Sequence, residues 1–306
     1  MNSSRYTELL GAIKDCQTCE LLLNEKLSSH TTFRIGGAAD YFVLPQNIPT
    51  FCMILDLVAQ NEIPYKVIGN ASNILIHDNG FRGVVIQTKP LDCISLENGI
   101  LRAECGATLA RCARKAAESG LSGFEKIAGI PATIGGALAM NAGAYGSQIA
   151  DFLRSVSVFD MKTRSVYSLN RDELAFGYRT ALISDRRYIA LSAEFCLQKR
   201  SREAILTDMR DCMEKRQSSQ PLNYPSAGSV FKRPPNDYAG RLIEAAGLKG
   251  TRIGDAEVSE KHAGFIINRG HATSEDVRTL IALVQRRVRE TSDVLLVCEI
   301  EILPEG

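Results

Sequence analysis

The sequence carries no excess of charge of one sign and no long apolar run. Its 306 residues include 36 Lys and Arg against 35 Asp and Glu, which leaves a net charge of +1. This balance excludes a general electrostatic attraction to nucleic acid or to an anionic membrane. No segment approaches the ~20 apolar residues of a transmembrane helix, and the N-terminus lacks the apolar run of a signal peptide. We therefore expect a cytoplasmic protein that binds neither nucleic acid nor a membrane.

The sequence also lacks the cysteine pattern of a disulfide framework or of a zinc site. Its nine cysteines are an odd number in a long chain, which is typical of reduced thiols. Cys16 and Cys19 have the spacing of a redox or zinc motif, and His30 lies beyond them, but no second such pair follows. Because a structural zinc site needs four ligands, we expect no bound metal.

Hydrophobic periodicity predicts a mixed α and β protein of about two domains, without repeats or a long polar linker. One helix has a stripe that begins at Phe51, and a second is capped by Thr108 and ended by Gly120. A late helix is capped by Ser274, with an inner face of Val277, Leu280, Ile281, Val284 and Val288. The predicted strands cover residues 65–68, 74–76, 83–86, 156–159, 188–197 and 294–303.

Two segments rich in Gly and Ala, residues 69–73 and 129–143, are candidates for ligand binding. Small residues let a ligand approach the backbone, and successive peptide N–H groups can hold a pyrophosphate. The second segment contains no charged residue. Tight turns and a close-packed helix explain the same composition. The first segment lies between two predicted strands, and neither segment contains GxGxxG or GxxxxGK[ST], so a Rossmann site and a P-loop are excluded.

Three polar residues stand in segments that suit catalysis. Ser229 follows Gly228 but lacks the GxSxG of hydrolases, and none of the four histidines has a local relation to it. If Ser229 acts, a proton donor is therefore a better interpretation than a nucleophile, although the residues alone favour a loop Ser that bonds the backbone. Glu299 interrupts an apolar strand, on a solvated face or in a cleft, and the sequence favours the solvated face. Arg179 lies in a loop, where it can bind a carboxylate or phosphate or form a weak surface ion pair.

These segments together resemble the UDP-N-acetylenolpyruvoylglucosamine reductase family, whose members act in peptidoglycan synthesis. The resemblance extends from about His30 to the end of the chain. Six motifs in the same order carry it, and they occupy residues 30–37, 69–73, 129–146, 228–232, 237–250 and 258–268. No insertion of the kind that distinguishes one subtype of the family is present, so the chain resembles the shorter, second subtype.

The resemblance implies an α+β fold. It consists of a two-lobed FAD-binding domain of the vanillyl-alcohol oxidase and p-cresol methylhydroxylase type and a smaller α/β substrate domain. The implied boundaries are a lead-in at 1–32, the FAD domain at 33–200 with lobes at about 33–90 and 91–200, and the substrate domain at 201–306. The implied cofactor-binding residues are Gly69, Asn70, Ala71, Ser72, Asn73, Gly129, Pro131, Ala132, Thr133, Gly135, Gly136, Asn141 and Ala142.

The resemblance also implies the reaction. NADPH gives a hydride to FAD, which reduces the enolpyruvyl group of UDP-N-acetylglucosamine enolpyruvate to UDP-N-acetylmuramate. Arg179 and Glu299 match the residues that stabilise the enolate-like intermediate, and Ser229 matches the proton donor. Tyr178, Arg179, Lys232 and Arg233 are the implied substrate-binding residues. The expected partners are these small molecules, and the expected state is a monomer or weak oligomer.

Four positions depart from the family pattern. Ala71 replaces a frequent Gly, Ala181 a common Ser, Arg233 a common Asn and Glu301 a common Arg. Arg233 and Glu301 form a hypothetical compensating exchange of charge within one pocket. Two alternative functions remain. One is a different FAD-dependent oxidoreductase on the same fold, and the other is a catalytically silent protein that binds flavin or a nucleotide sugar.

Overall fold

The computed structural model describes residues 3–185 and 187–303. Their contacts divide the chain into two compact units. Unit 1 comprises the residues up to Leu23, Tyr41–Asn70 and Gly83–Glu214, and unit 2 comprises Asn24–Asp40, Ala71–Arg82 and the residues from Lys215 onward. The predicted boundaries near residues 32 and 200 concern binding functions and stay predictions.

Helices and strands are mixed along the described chain, as the sequence predicts. The helices are α1 Ser3–Asp15, α2 Ile48–Gln60, α3 Leu109–Glu118, α4 Ile134–Ala139, α5 Arg202–Ser219, α6 Ala239–Ala245 and α7 Ser274–Ser292. The strands up to α4 are β1 Cys19–Lys26, β2 Ala38–Pro45, β3 Tyr65–Ile68, β4 Ile74–Leu75, β5 Phe81–Gln87, β6 Ile94–Glu97, β7 Ile100–Glu104 and β8 Leu121–Ser122. The later strands are β9 Gly143–Ala144, β10 Ser147–Gln148, β11 Leu153–Asp160, β12 Ser165–Asn170, β13 Tyr188–Cys196, β14 Gln198–Lys199, β15 Ser226–Ser229, β16 Arg252–Ile253, β17 Ala256–Val258, β18 Phe265–Asn268 and β19 Glu301–Ile302.

The first core of unit 1 forms around α2. Asn47 caps this helix because its side chain accepts a hydrogen bond of 2.9 Å from the main-chain N–H of Thr50. The predicted stripe from Phe51 to Val58 is buried, in the same core as residues of β2 and β5. The sheet to which these strands belong has the order β1-β2-β5-β3, and β3 runs parallel to β5.

The second core of unit 1 lies on a five-stranded antiparallel sheet of order β12-β11-β13-β7-β6. Helices α3 and α4 pack on this sheet. Thr108 caps α3 and accepts from the N–H of Arg111, and Gly120 follows the helix with a φ of +65°. This is the left-handed conformation that Gly adopts at helix ends. The predicted cap and stop of α3 are both confirmed.

Unit 2 has a four-stranded antiparallel sheet of order β15-β18-β17-β16, on which α7 packs. The predicted inner face of α7 is buried, but its predicted cap is wrong by one residue. Thr273 has the extended backbone of a cap and accepts from the N–H of Asp276 at 3.0 Å. Ser274 is already helical, and its hydroxyl donates to Asp78 Oδ2 at 2.7 Å instead.

The predicted strand over residues 294–303 is wrong for most of its length. Only Glu301–Ile302 forms a strand, β19, which pairs in parallel with β4. Before it, Cys298 makes an isolated antiparallel bridge with Phe231. The segment therefore changes its pairing partner near Ile300, and this change prevents one continuous strand.

Candidate active site

The two Gly- and Ala-rich segments meet in unit 1. Gly69 approaches Thr133 so closely that a Cβ on Gly69 would lie 2.1 Å from Thr133 Oγ1. The side-chain amide of Asn70 donates a hydrogen bond of 3.2 Å to the main-chain oxygen of Pro131. Only Gly fits at position 69 while Thr133 keeps this place. Gly69 and Asn70 of the first segment therefore form one surface with the second segment, although the sequence predicts the two segments as separate ligand-binding candidates.

The second segment is fixed to the end of β7 and the start of α3. Ile134 N–H donates to Ala107 O at 2.8 Å, and Gly135 N–H donates to Cys105 O at 2.8 Å. Thr133 caps α4 and accepts from the N–H of Gly136 at 3.4 Å. These bonds hold the backbone of the segment in place on the five-stranded sheet. They bring together the predicted cofactor-binding residues Pro131, Ala132, Thr133, Gly135 and Gly136, and Gly129 precedes them in a turn.

Asn141 is buried beside this segment with one polar atom unused. Its side-chain nitrogen donates to Gln148 Oε1 at 3.0 Å and to Gly177 O at 2.9 Å. Its side chain is 1% exposed, yet Oδ1 has no partner in residues 3–185 and 187–303. A buried acceptor of this kind is costly unless a ligand satisfies it. Ala142 beside it is also buried and donates its N–H to Ala137 O at 2.8 Å.

These features fit a flavin nucleotide. The surface is uncharged along residues 129–143, a Cβ would fill its closest approach at Gly69, and Asn141 Oδ1 is an acceptor for a ligand N–H. A neutral surface rich in main-chain groups suits both the ring system and the diphosphate of FAD. Asn70 and Thr133 would hold the cofactor through the junction of the two segments.

Arg179 lies in a turn that is bonded to this segment. Gly177 and Thr180 exchange main-chain hydrogen bonds across the turn, and Arg179 has a φ of +54°. Its guanidinium donates from Nη2 to Gly143 O at 3.1 Å and lies 5.3 Å from the ring centre of Tyr178. Because Asn141 donates to Gly177 O, both ends of the turn are held. Tyr178 is 54% exposed, which suits a residue that contacts a substrate.

Ser229 occupies the end of β15 in unit 2. Its pairing with β18 is irregular between Ser226 and Ser229, and Gly228 within this bulge has a φ of +77°. Bulges of this kind redirect a side chain. Along the described ranges the Ser229 hydroxyl has no hydrogen-bond partner, His included, which favours a proton donor over a nucleophile of a triad.

The backbone of Glu299 lies beside the strand end that carries Ser229. Glu299 N–H donates to Val230 O at 2.7 Å, and Lys232 N–H donates to Val297 O at 2.8 Å. The predicted catalytic residues Ser229 and Glu299 are therefore linked through one residue and one hydrogen bond. Glu299 is half-buried, which departs from the fully solvated face that the sequence favours.

The rest of the first segment, Ala71 to Asn73, lies in unit 2. Ala71 is buried with a φ of +47°, a conformation that favours Gly, and Gly is frequent here in the family. Asn73 makes contacts that the sequence did not indicate. Its Nδ2 donates to Glu299 O at 3.1 Å, and its main-chain oxygen accepts from Glu301 N–H at 2.9 Å. Ser72 between them is half-buried.

The remaining departures from the family pattern have distinct surroundings. The guanidinium of Arg233 lies 4.2 Å from the ring centre of Tyr238, a cation–π contact. Ala181 is buried, and its carbonyl accepts from the Ser184 hydroxyl at 2.5 Å. The compensating exchange between Arg233 and Glu301 stays a hypothesis.

The N-terminal cysteines differ in their pKa. Hydrogen bonds with Thr18 lower the pKa of the Cys16 thiol, whereas burial raises the pKa of Cys19 to about 11. Within the two described ranges, no group of three or more His, Cys, Asp or Glu side chains is placed to bind a metal. No helix in these ranges is long and apolar enough to cross a membrane.

Two family models match the chain. One, described as "UDP-N-acetylenolpyruvoylglucosamine reductase, C-terminal domain", matches residues 220–303, and the other, described as "FAD binding domain", matches residues 39–166. Among curated proteins, the UDP-N-acetylenolpyruvoylglucosamine reductase of Caldicellulosiruptor bescii is 47% identical over 94% of this chain and 91% of its own. The protein of that name from Listeria monocytogenes is 46% identical over 92% of this chain and 95% of its own.

A solved structure agrees with these matches. The crystal structure of UDP-N-acetylenolpyruvylglucosamine reductase from Thermus caldophilus superposes with a TM-score of 0.79 at 36% identity. The match covers 94% of this chain and 99% of that protein. The predicted α+β fold, with an FAD-binding domain and a smaller C-terminal domain, is confirmed.

Proposed function

This chain belongs to the family of UDP-N-acetylenolpyruvoylglucosamine reductases, and we infer that it reduces UDP-N-acetylglucosamine enolpyruvate to UDP-N-acetylmuramate in peptidoglycan synthesis. It is an FAD-dependent oxidoreductase, with NADPH as the hydride donor. The observation that carries this inference is the link between Ser229 and Glu299 through the Val230 carbonyl. It supports a proton donor and a carboxyl group acting at one substrate.

FAD, when bound, would supply hydride transfer from NADPH to the terminal methylene carbon of the enolpyruvyl group. The hydride places negative charge on the adjacent carbon and its carboxylate. Arg179 stabilises that charge with a guanidinium that also bonds Gly143 O. The Glu299 carboxyl is protonated or bridged to a cation, since an ionised carboxylate would repel the intermediate. Lys232 supplies a cation near the substrate, and Tyr178 and Arg233 contact it.

Ser229 donates the proton that completes the reduction. Its hydroxyl is not engaged by another described residue, so it can point at the carbon that becomes negatively charged. A free serine is a weak acid, so position and neighbouring charges must assist the transfer. The hydroxyl regains its proton from solvent, and the product has gained one hydride and one proton.

Residues 33–200 form the FAD-binding domain of this proposal, and residues 201–306 the substrate domain. Gly69 to Asn73 and the predicted residues between Gly129 and Ala142 bind FAD. The contacts of Gly69 and Asn70 with Thr133 and Pro131 support this assignment. We expect the protein to act in the bacterial cytoplasm as a monomer or weak oligomer, with small molecules as its partners and without nucleic acid or membrane.

Product analysis tests the proposal. Protein saturated with FAD is incubated with NADPH and the enolpyruvyl UDP-sugar without oxygen, and both nucleotides are quantified. We expect one NADPH consumed for each UDP-N-acetylmuramate formed. NADPH oxidation that requires another acceptor would indicate the rival oxidoreductase, and no oxidation with any acceptor would indicate a silent binding protein.

A further inference from the structure

We propose that Asn73 is a positioning residue for Glu299: its side-chain amide fixes the peptide that carries the catalytic carboxyl group. The inference rests on the proposed function, in which Glu299 acts on the substrate. Asn73 Nδ2 donates to Glu299 O at 3.1 Å. The resemblance to the family assigns Asn73 only to the cofactor, whereas this contact relates it to the catalytic segment.

The main chain of Glu299 is bonded on both sides. Its N–H donates to Val230 O at 2.7 Å, on the segment that follows Ser229. Its C=O accepts from Asn73 Nδ2 on the first Gly-rich segment. The bond to Val230 O sets the distance between Glu299 and the strand end that carries Ser229. The bond from Asn73 fixes the direction of the Glu299 carbonyl, and it therefore prevents rotation of the peptide between Glu299 and Ile300.

A side-chain donor is required at this place because the main-chain pairing of β4 with β19 ends before it reaches the carbonyl of Glu299. The parallel pairing of β4 and β19 joins Ile74 with Glu301, and its last main-chain bond runs from Glu301 N–H to Asn73 O at 2.9 Å. The carbonyl of Glu299 lies beyond that bond. An Asn at position 73 adds the missing donor and so extends the pairing to the catalytic residue.

The carboxyl group of Glu299 moves with its own backbone. Its half-buried side chain has three rotatable bonds, so a small rotation of the peptide displaces the carboxyl oxygens by a larger amount. A misplacement on the order of 1 Å at a reacting group costs about 100-fold in rate. Loss of the Asn73 bond to Glu299 therefore slows the proton-transfer half of the reaction far more than it slows hydride transfer to FAD.

A purely structural role makes a different prediction, and the chain offers a matched control. Gln285 Nε2 donates to Leu296 O at 2.9 Å, a bond of the same type to the same C-terminal segment. Gln285→Ala removes that bond three residues before Glu299. If Asn73 only stabilises the segment, Asn73→Ala and Gln285→Ala have similar effects.

The test uses full-length enzyme saturated with FAD and reduced by NADPH without oxygen, then mixed with the enolpyruvyl UDP-sugar. Because the segment of Asn73 also binds FAD, the two half-reactions are compared within each variant. For Asn73→Ala, and for Asn73→Asp, which keeps the size but removes the donor, we expect bleaching by NADPH at saturating FAD to slow far less than reoxidation by the sugar. Flavin reoxidation slows about 10- to 100-fold, whereas Gln285→Ala stays within about twofold of wild type. In a Glu299→Gln background, Asn73→Ala adds less than about twofold, because both residues act through one group.

A second readout does not depend on turnover. Hydrogen exchange of the peptide that spans residues 296–303 becomes faster in Asn73→Ala, with or without FAD, because the segment loses one of its fixed points. Unchanged exchange would contradict the proposal, whatever the kinetics show.

The outcomes separate the two claims. If wild-type enzyme is not reoxidised by the sugar, the proposed function is wrong and the positioning role is wrong with it. If wild type is reoxidised but the Asn73 variants react at the wild-type rate, only the positioning role is wrong. The positioning role is also wrong if the Asn73 substitution slows reoxidation as much in the Glu299→Gln background as in wild type. The same holds if bleaching at saturating FAD slows as much as reoxidation, since Asn73 then acts through the cofactor alone.

Discussion

The side-chain amide of Asn70 donates a hydrogen bond of 3.2 Å to the main-chain oxygen of Pro131, 61 residues later in the chain. Next to this bond, Gly69 lies against Thr133. The two segments resemble separate flavin motifs, but the structure makes them one surface. Cofactor binding should therefore depend on their contact as well as on their individual residues.

Gly69→Ala tests that contact. A Cβ would lie 2.1 Å from Thr133 Oγ1, so the two segments must separate. We expect the affinity for FAD, measured by titration of the apoprotein, to fall at least tenfold. The melting temperature should also fall. Gly11→Ala on α1 is the control, since no heavy atom lies within 4 Å of its new Cβ. Undiminished FAD affinity in Gly69→Ala would refute the close approach.

Asn141→Ala tests how the Arg179 turn is held. The variant loses the donor to Gly177 O, which ties the start of the turn to the Gly- and Ala-rich segment. We expect a higher KM for the sugar and a reoxidation step slowed about tenfold, because a freed turn misplaces the guanidinium. Loss of Asn141 Oδ1, an acceptor for a ligand N–H, should also lower the affinity for FAD. Asn170→Ala, at a surface turn, is the control, and equal kinetics in both variants would rule out this role.

Ser229→Ala separates the two halves of the reaction. NADPH should bleach the flavin at the wild-type rate, because Ser229 takes no part in hydride transfer to FAD. Reoxidation by the sugar should slow by orders of magnitude, since the proton donor is gone. Ser226→Ala on the same strand should react within about twofold of wild type. Rapid turnover of Ser229→Ala would remove Ser229 from the mechanism.

The ion pair of Asp160 with Arg187 should make stability depend on pH. The Arg187 side-chain hydrogen bond, at 2.8 Å, is the main cause that lowers the pKa of Asp160 from 3.8 to about 2. A carboxylate with a depressed pKa stabilises the fold above its unfolded pKa, and this stability is lost as pH falls toward 2. Asp160 itself is buried, but Arg187 is 45% exposed, and solvent reduces the effect.

We expect Asp160→Asn to lower the free energy of unfolding by about 1–2 kcal/mol at pH 7, measured with urea at saturating FAD. The difference from wild type should shrink between pH 4 and pH 3. Asp92→Asn, in an exposed pair with Arg111, should change stability by less than about 0.5 kcal/mol. A deficit in Asp160→Asn that is constant with pH would contradict the ionic origin.

Local patterns predicted the elements that local forces determine. The buried stripe of α2 and the Thr108 cap of α3 follow from side chains close in sequence, and both are confirmed. The cap of α7 was misplaced because Thr273 and Ser274 are chemically alike. Only the distant Asp78, which bonds the Ser274 hydroxyl, separates their roles.

Distant contacts could not be predicted from the residues alone. The hydrogen bond from Asn73 to Glu299 joins positions 226 residues apart, and no pattern around either residue indicates it. The prediction of one C-terminal strand was wrong for the same reason. The alternating pattern of this segment does not show that Cys298 and Glu301 pair with different segments. The family resemblance implies which residues react, and the structure shows the bonds that hold their segments.

The most direct test of the central claim is a single turnover of the wild-type enzyme. FAD-saturated protein is bleached with one equivalent of NADPH in the absence of oxygen and then mixed with UDP-N-acetylglucosamine enolpyruvate while the flavin absorbance is followed. The account predicts prompt recovery of the oxidised flavin spectrum, with one UDP-N-acetylmuramate formed per flavin. A flavin that stays reduced in the presence of this sugar would contradict it.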